Sequence, residues 1–252
     1  MDDIKICPVC GEPKEALFPE EIRKTMRIDK YPLRCLCERT AMEEEERARL
    51  QREREEAFVR NRSFCFTDKA MYKWNFLNDD GTVAASEYAR KYVDNFDEMK
   101  RNNVGILFWG DVGTGKSFLA GCIANALLEK GRTVRMTNFS TIINDLFCCE
   151  DKNEYIDKFA KYELLIIDDL GAERNTEYAT ENVFNVIDRR YRSGLPLIVT
   201  TNLSLNIIKD EVSVDKKRIY DRILEMCVPV LITGLSKRKN VATEKLRLLQ
   251  RL

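Results

Sequence analysis

The 252-residue sequence contains no histidine. That absence excludes a Ser-His-Asp or Cys-His nucleophile and a histidine-ligated catalytic metal, so any chemistry must run on carboxylates, lysine, arginine and bound ions. Long apolar runs are missing too. None approaches the roughly 20 residues that cross a bilayer, and the acidic start Met1-Asp2-Asp3 has no signal-peptide pattern. A cytoplasmic protein with no membrane partner is expected. Net charge is also absent: 42 basic side chains balance 42 acidic ones, so a nucleic-acid contact would have to come from a local patch. With 44% hydrophobic and 33% charged residues, the chain has the balance of a folded protein with one sizeable core and a small appendage.

Nine cysteines are present. In a reducing compartment they are more readily thiols and metal ligands than disulfides. Cys7-Pro8-Val9-Cys10-Gly11 is a tight knuckle, and Cys35-Leu36-Cys37 supplies a second pair. Four thiolates can close a tetrahedral Zn²⁺ site and so organise a segment too small to fold on packing alone. With sulfur in every position the zinc would be structural, although one residue between Cys35 and Cys37 is fewer than the usual two to four. The remaining cysteines, Cys65, Cys122, Cys148, Cys149 and Cys227, read as small apolar residues.

Three segments differ in composition. Residues 1–42 hold the cysteine pairs. Residues 43–62 are mostly Glu and Arg, with Glu43/Arg47 and Glu45/Arg49 spaced to pair across a helical turn, as in a solvated linker helix. From residue 63 to 252, short apolar runs alternate with helical stretches, which predicts a parallel sheet covered on both faces. The expected strands are 104–109, 132–137, 164–168, 195–200 and 228–232. Helices are expected over Ser86–Met99, Ser117–Lys130 and Tyr178–Ser193, with Gly131 and Gly194 ending the last two.

Gly110-Asp111-Val112-Gly113-Thr114-Gly115-Lys116-Ser117 matches G-x-x-x-x-G-K-[ST] between a predicted buried strand and a predicted helix, the context in which that motif binds ATP and Mg²⁺. The glycines let backbone N–H groups curl around phosphate oxygens, and the helix beginning near Lys116 adds its positive end. Lys116 is expected on the β- and γ-phosphates and the Ser117 hydroxyl on Mg²⁺. Phe118, the next residue along, is counted with the nucleotide contacts. The apolar run at 164–167 ends in Asp168-Asp169, which offers Asp168 to the metal shell and Asp169 to polarise the attacking water. Asn202, after Thr200-Thr201, could reach the γ-phosphate or the water, and is also a natural turn residue. Arg218 and Arg222 share one helical face, and that spacing fits surface charges as well as it fits an arginine given to a neighbour's nucleotide.

Taken together, these residues resemble the helicase-loader ATPases of the DnaC/DnaI type, which share an AAA+ core with the transposition helper IstB. GDVGTGKS (110–117), LLIIDDLGAE (164–173), IVTTN (198–202), RIYDRI (218–223) and GLSKRK (234–239) carry the resemblance. It implies an α/β fold, an AAA+ P-loop NTPase core whose five-stranded parallel sheet runs 5-1-4-3-2, beside a small N-terminal zinc-binding domain. It implies Asn202 at the sensor-1 position, Arg222 as a trans-acting finger with Arg218 alongside, and Arg238 near the nucleotide at the sensor-2 position. It further implies a hexameric replicative DNA helicase and single-stranded DNA as partners, with residues 1–42 as the docking module and self-assembly through the AAA+ domains. Asp169 stands where many AAA+ ATPases have glutamate, and the shorter side chain predicts slow, switch-like hydrolysis. The alternatives are a transposition helper, a P-loop small-molecule kinase and a nucleotide-binding scaffold that never hydrolyses.

Overall fold

The computed structural model describes residues 4–26, 28–79, 84–173 and 176–234. Chain contacts divide it into two compact units, Met1–Ala57 and Phe58–Leu252. The first is built around β1 (Glu15–Leu17), α1 (Glu20–Met26) and β2 (Lys30–Pro32), with β1 and β2 paired antiparallel. So small a hairpin buries little. α2 (Leu36–Cys65) follows; the charged stretch is helical, and the helix extends beyond it at both ends.

The second unit opens with a short 3₁₀ turn, Lys69–Lys73, followed by α3 (Ala85–Asp94) and α4 (Phe96–Arg101). The single helix expected over Ser86–Met99 is therefore two. It breaks at Asn95, whose φ of −107° and ψ of 25° leave the helical region and whose side-chain amide donates back to the Lys91 carbonyl. Then come β3 (Gly105–Trp109), α5 (Lys116–Glu129), β4 (Val134–Asn138), α6 (Phe139–Cys148), α7 (Lys152–Phe159), β5 (Leu164–Leu170), α8 (Glu177–Ser193), β6 (Leu197–Thr201), α9 (Leu205–Lys209), α10 (Val214–Met226) and β7 (Cys227–Leu231).

β3 to β7 form a parallel sheet in the order β4-β5-β6-β3-β7. Counted along the chain within the core and read from the β7 edge, that is 5-1-4-3-2, as the resemblance implied. Parallel strands need crossover helices, and those helices cover both faces. Alternation along each strand divides the core in two. Leu107, Leu165, Ile167, Leu197 and Val199 pack with α6, α7, α8 and α10. Ile106, Phe108, Leu164, Ile166 and Ile198 pack with α3 and α5. Each strand residue buried on one face hands its neighbour to the other.

Among the described residues, Arg190 is a charged side chain taken fully into the core of this unit. The Arg190 guanidinium is fully buried and donates to the carbonyls of Phe159, Tyr162, Glu163 and Pro196. It ties α8 to the loops that lead into β5 and β6, satisfying carbonyls that would otherwise be orphaned. Among the described residues no helix is long and apolar enough to cross a membrane.

Candidate nucleotide site and metal centre

The nucleotide loop joins β3 to α5 at the carboxyl edge of the sheet. Its turns demand glycine: Gly110, Gly113 and Gly115 have φ of 139°, 83° and 102°, and a Cβ on Gly110 would run into the Ile232 carbonyl. Only glycine takes such angles without strain. Thr114 Oγ1 closes the loop by donating to the Asp111 carbonyl at 2.9 Å. The Lys116 ammonium is buried and donates to the Gly110 carbonyl at 2.8 Å and the Asp111 carbonyl at 2.6 Å. The loop's own carbonyls thus hold a cation at the first turn of α5.

Next to it, the two aspartates lie near the end of β5, where Asp168 still pairs with Asn138 of β4 but the pairing with β6 is interrupted. β5 pairs with β6 in register as far as Ile167↔Val199 and then shifts before Leu170↔Thr201. Asp168 and Asp169 fill that bulge, and Asp169 has a φ of 59°, left-handed and unusual for a residue with a side chain. Thr200 stitches the bulge: its hydroxyl donates to Asp168 Oδ1 at 2.6 Å and accepts from the Asp169 N–H at 2.9 Å. Asn202 Nδ2 donates to Asp169 Oδ1 at 2.7 Å.

A cavity of about 370 Å³ is lined by Val112, Gly113, Gly115, Lys116, Ser117 and Phe118 from the loop and helix, and by Asp168, Asp169, Thr200 and Asn202 from the strand ends. It is also lined by Trp74. The structure therefore brings together most of the expected nucleotide and magnesium residues. The donor set fits both groups: a hydroxyl and a carboxylate are hard oxygen ligands suited to Mg²⁺, and the buried ammonium suits phosphate. Sequence reasoning misses Trp74 and Thr200. The Thr200-Thr201-Asn202 strand end is legible, whereas Trp74 stands far before the motif with no pattern linking the two.

Arg218 and Arg222 do not line this cavity. On α10, both guanidinium groups lie over the Phe184 ring, at 4.6 and 4.8 Å from its centre. Arg222 also forms a two-pronged ion pair with Asp188 of α8, at 3.0 and 2.8 Å, while Arg218 is exposed beside a separate cavity of about 550 Å³. Arg238 lies outside the described residues.

In the first unit, Cys7, Cys10, Cys35 and Cys37 converge, all four sulfurs within 4.8 Å of one another. Cys37 Sγ is 3.4 Å from Cys7, 3.1 Å from Cys35 and 3.6 Å from Cys10. Tetrahedral coordination at a Zn–S length of about 2.3 Å places sulfurs about 3.8 Å apart, so the donors fit zinc. The knuckle is a backbone device. Cys7 N–H donates to the Glu12 carbonyl and Gly11 N–H to the Cys7 carbonyl, with Gly11 at a φ of 72°. Backbone N–H groups of Cys10 and Val9 pull the Cys7 thiol down to about 6, while the three neighbouring sulfurs push Cys37 up to about 12. Holding all four sulfurs as thiolates at this spacing would call for a cation. Elsewhere Cys65, Cys122 and Cys227 are buried as expected, but Cys148 is exposed.

A strand, a glycine loop and a helix in a parallel sheet ordered 5-1-4-3-2, with an acidic strand end beside the loop, define an AAA+ P-loop NTPase core. The chain belongs to the family of IstB-like ATP binding proteins, whose model matches residues 38–245. It is similar to the replicative helicase loader DnaC of Escherichia coli (strain K12), 29% identical over 57% of this chain and 58% of that one. It is also similar to the replicative helicase loader DnaI of Bacillus subtilis (strain 168), 23% identical over 64% and 56%. The chain thus spans less than two thirds of the length of these relatives. A crystal structure of DnaI superimposes with a TM-score of 0.58 at 25% identity, covering 71% of this chain and 99% of that one.

Proposed function

We propose that this protein is an ATP-controlled loader of a hexameric replicative DNA helicase. The observation behind the reading is the single cavity that gathers Lys116, Ser117, Asp168, Asp169 and Asn202, in a chain whose relatives are named replicative helicase loaders. Bound Mg·ATP supplies a γ-phosphoryl centre and the divalent charge that eases attack on it. Lys116 binds the phosphate oxygens, and Ser117 and Asp168 hold the magnesium. Asp169 accepts a proton from the attacking water, and Asn202 orients the Asp169 carboxylate. Because Asp169 is shorter than glutamate and already engaged by Asn202, hydrolysis is slow and works as a switch.

Residues 1–42, organised by zinc on Cys7, Cys10, Cys35 and Cys37, dock the helicase; residues 43–62 are a linker and 63–252 the motor. Arg222 is donated to a neighbouring subunit's nucleotide, with Arg218 beside it, when the motors assemble. Single-stranded DNA runs over the exposed Phe147, whose ring lies 4.6 Å from Tyr178, itself capped by the Lys152 ammonium at 5.1 Å. Two neighbouring rings and a cation suit a base and its phosphate.

The test is co-purification with the replicative helicase of the same source, using the full chain and a chain starting at Ser63, with and without ATP. Capture by the full chain alone supports the loader reading and residues 1–62 as its grip. If neither binds while the shorter chain hydrolyses ATP, the helicase partner is wrong and a transposition helper, sharing the IstB-like core, takes its place.

A further inference from the structure

The cavity lining is chemically divided. Strands β5 and β6 and the turn after β6 contribute the polar groups Asp168, Asp169, Thr200 and Asn202, whereas Trp74, Val112 and Phe118 make up an apolar part. We infer that Trp74 holds the base of the nucleotide by stacking, and that Gly121 and Asn125 are the residues that position it. This rests on the nucleotide-site reading above and assigns the half of the ligand that the phosphate motif leaves unassigned.

Trp74 follows the 3₁₀ turn, far in sequence from the motif, and is fastened onto α5 by three independent contacts. Its ring meets the Phe118 ring edge-on, with centroids 6.1 Å apart. Gly121, one turn further along α5, lies against the indole, and any Cβ there would run into the ring. The buried Asn125 amide donates to the Met71 carbonyl at 3.0 Å and the Trp74 carbonyl at 2.8 Å. A half-buried tryptophan this firmly held keeps a flat apolar face against the cavity at low entropic cost. A nucleotide brings charged oxygens for the loop and a flat aromatic ring for such a face. The Asn125 amide and the missing side chain at Gly121 act only through Trp74.

The experiment measures equilibrium affinity of the full chain, with Mg²⁺, for ATP, ADP and inorganic tripolyphosphate, which carries the charge but no base. Trp74→Ala is expected to weaken ATP and ADP by about 10-fold or more and to leave tripolyphosphate within about twofold. Trp74→Phe, which restores an aromatic face, is expected to recover most of the loss, and Asn125→Ala to reproduce part of it with the same selectivity. Equal weakening of ATP and tripolyphosphate, or no weakening of either, overturns the inference. If the unaltered chain binds none of the three ligands, the nucleotide-site reading itself has failed, a result that the Trp74 variants cannot produce.

Discussion

Asn202 donates its side-chain amide to the Asp169 carboxylate at 2.7 Å, across the gap between two neighbouring strand ends. The bond crosses a strand bulge that Thr200 pins on its other side. If Asp169 takes the proton from water, then Asn202 decides where its lone pairs point. Asn202→Ala is expected to lower ATP turnover by about 10- to 100-fold while changing ATP affinity less than about threefold. Asp169→Asn is expected to bind ATP and not turn it over. Single-turnover hydrolysis beside equilibrium binding separates the two effects, and equal loss of binding and turnover in Asn202→Ala would assign the amide to the phosphates instead.

Arg222 is held by its own chain, through Asp188 and the Phe184 ring. A trans-acting role requires that pair to open when subunits meet. Arg222→Ala is expected to retain ATP binding and to lose about 10³-fold or more of assembled turnover. Complementation gives the sharper check. Lys116→Ala chains cannot hold phosphate but still carry Arg222, so mixing them with Arg222→Ala chains is expected to restore turnover. Failure to restore it in mixed assemblies places Arg222 in a structural role between α8 and α10.

The motor's architecture was readable because its signals are local. Central strands of the parallel sheet are continuous apolar runs, such as Leu164–Ile167, and the loop glycines sit at fixed offsets from Lys116. Asp168 and Asp169 were readable because a strand must end in something, and two carboxylates there are chemically informative. What the sequence concealed depends on tertiary approach. Trp74 reaches the cavity only because Gly121 has no side chain and Asn125 binds two carbonyls of the preceding turn, and neither residue advertises this. The helix break at Asn95 was likewise invisible, since Ala85–Asp94 and Phe96–Arg101 share one helical composition and differ by a single backbone rotation.

Metal removal should act on one unit and spare the other. The four-cysteine cluster joins a segment whose described elements are a short hairpin, the short helix α1 and the start of α2, and such segments fold with their metal. A strong chelator, or paired Cys7→Ser and Cys10→Ser substitutions, is expected to make residues 1 to about 35 protease-sensitive and to abolish helicase capture. ATP binding by the second unit is expected to stay within about twofold. Zinc content measured on the intact chain is expected at about one ion per chain; none would return the four cysteines to buried thiols.

Acid stability should report on Glu163, which stands before β5 and gathers three donors: Lys100 Nζ at 2.7 Å, the Thr133 N–H at 3.2 Å and Arg132 at 3.3 Å. Burial works against its charge, but Lys100, the Thr133 N–H and Arg132 outweigh it and hold the carboxyl below the usual carboxylate range. The unfolded chain therefore binds a proton here more readily than the folded one. The stabilisation is complete above the ordinary glutamate value of about 4.3 and is lost as pH falls through the lower folded value. Solvent around the partly exposed partners limits it to about 1 kcal/mol, or about 2 to 4 °C in melting temperature. Glu163→Gln is expected to melt that much earlier at pH 7, with the gap to the unaltered chain narrowing as pH falls below about 4. Melting curves recorded from about pH 7 to about pH 3 check this, and a gap that stays constant across that range would mean the Glu163 contacts stabilise by packing and not by charge.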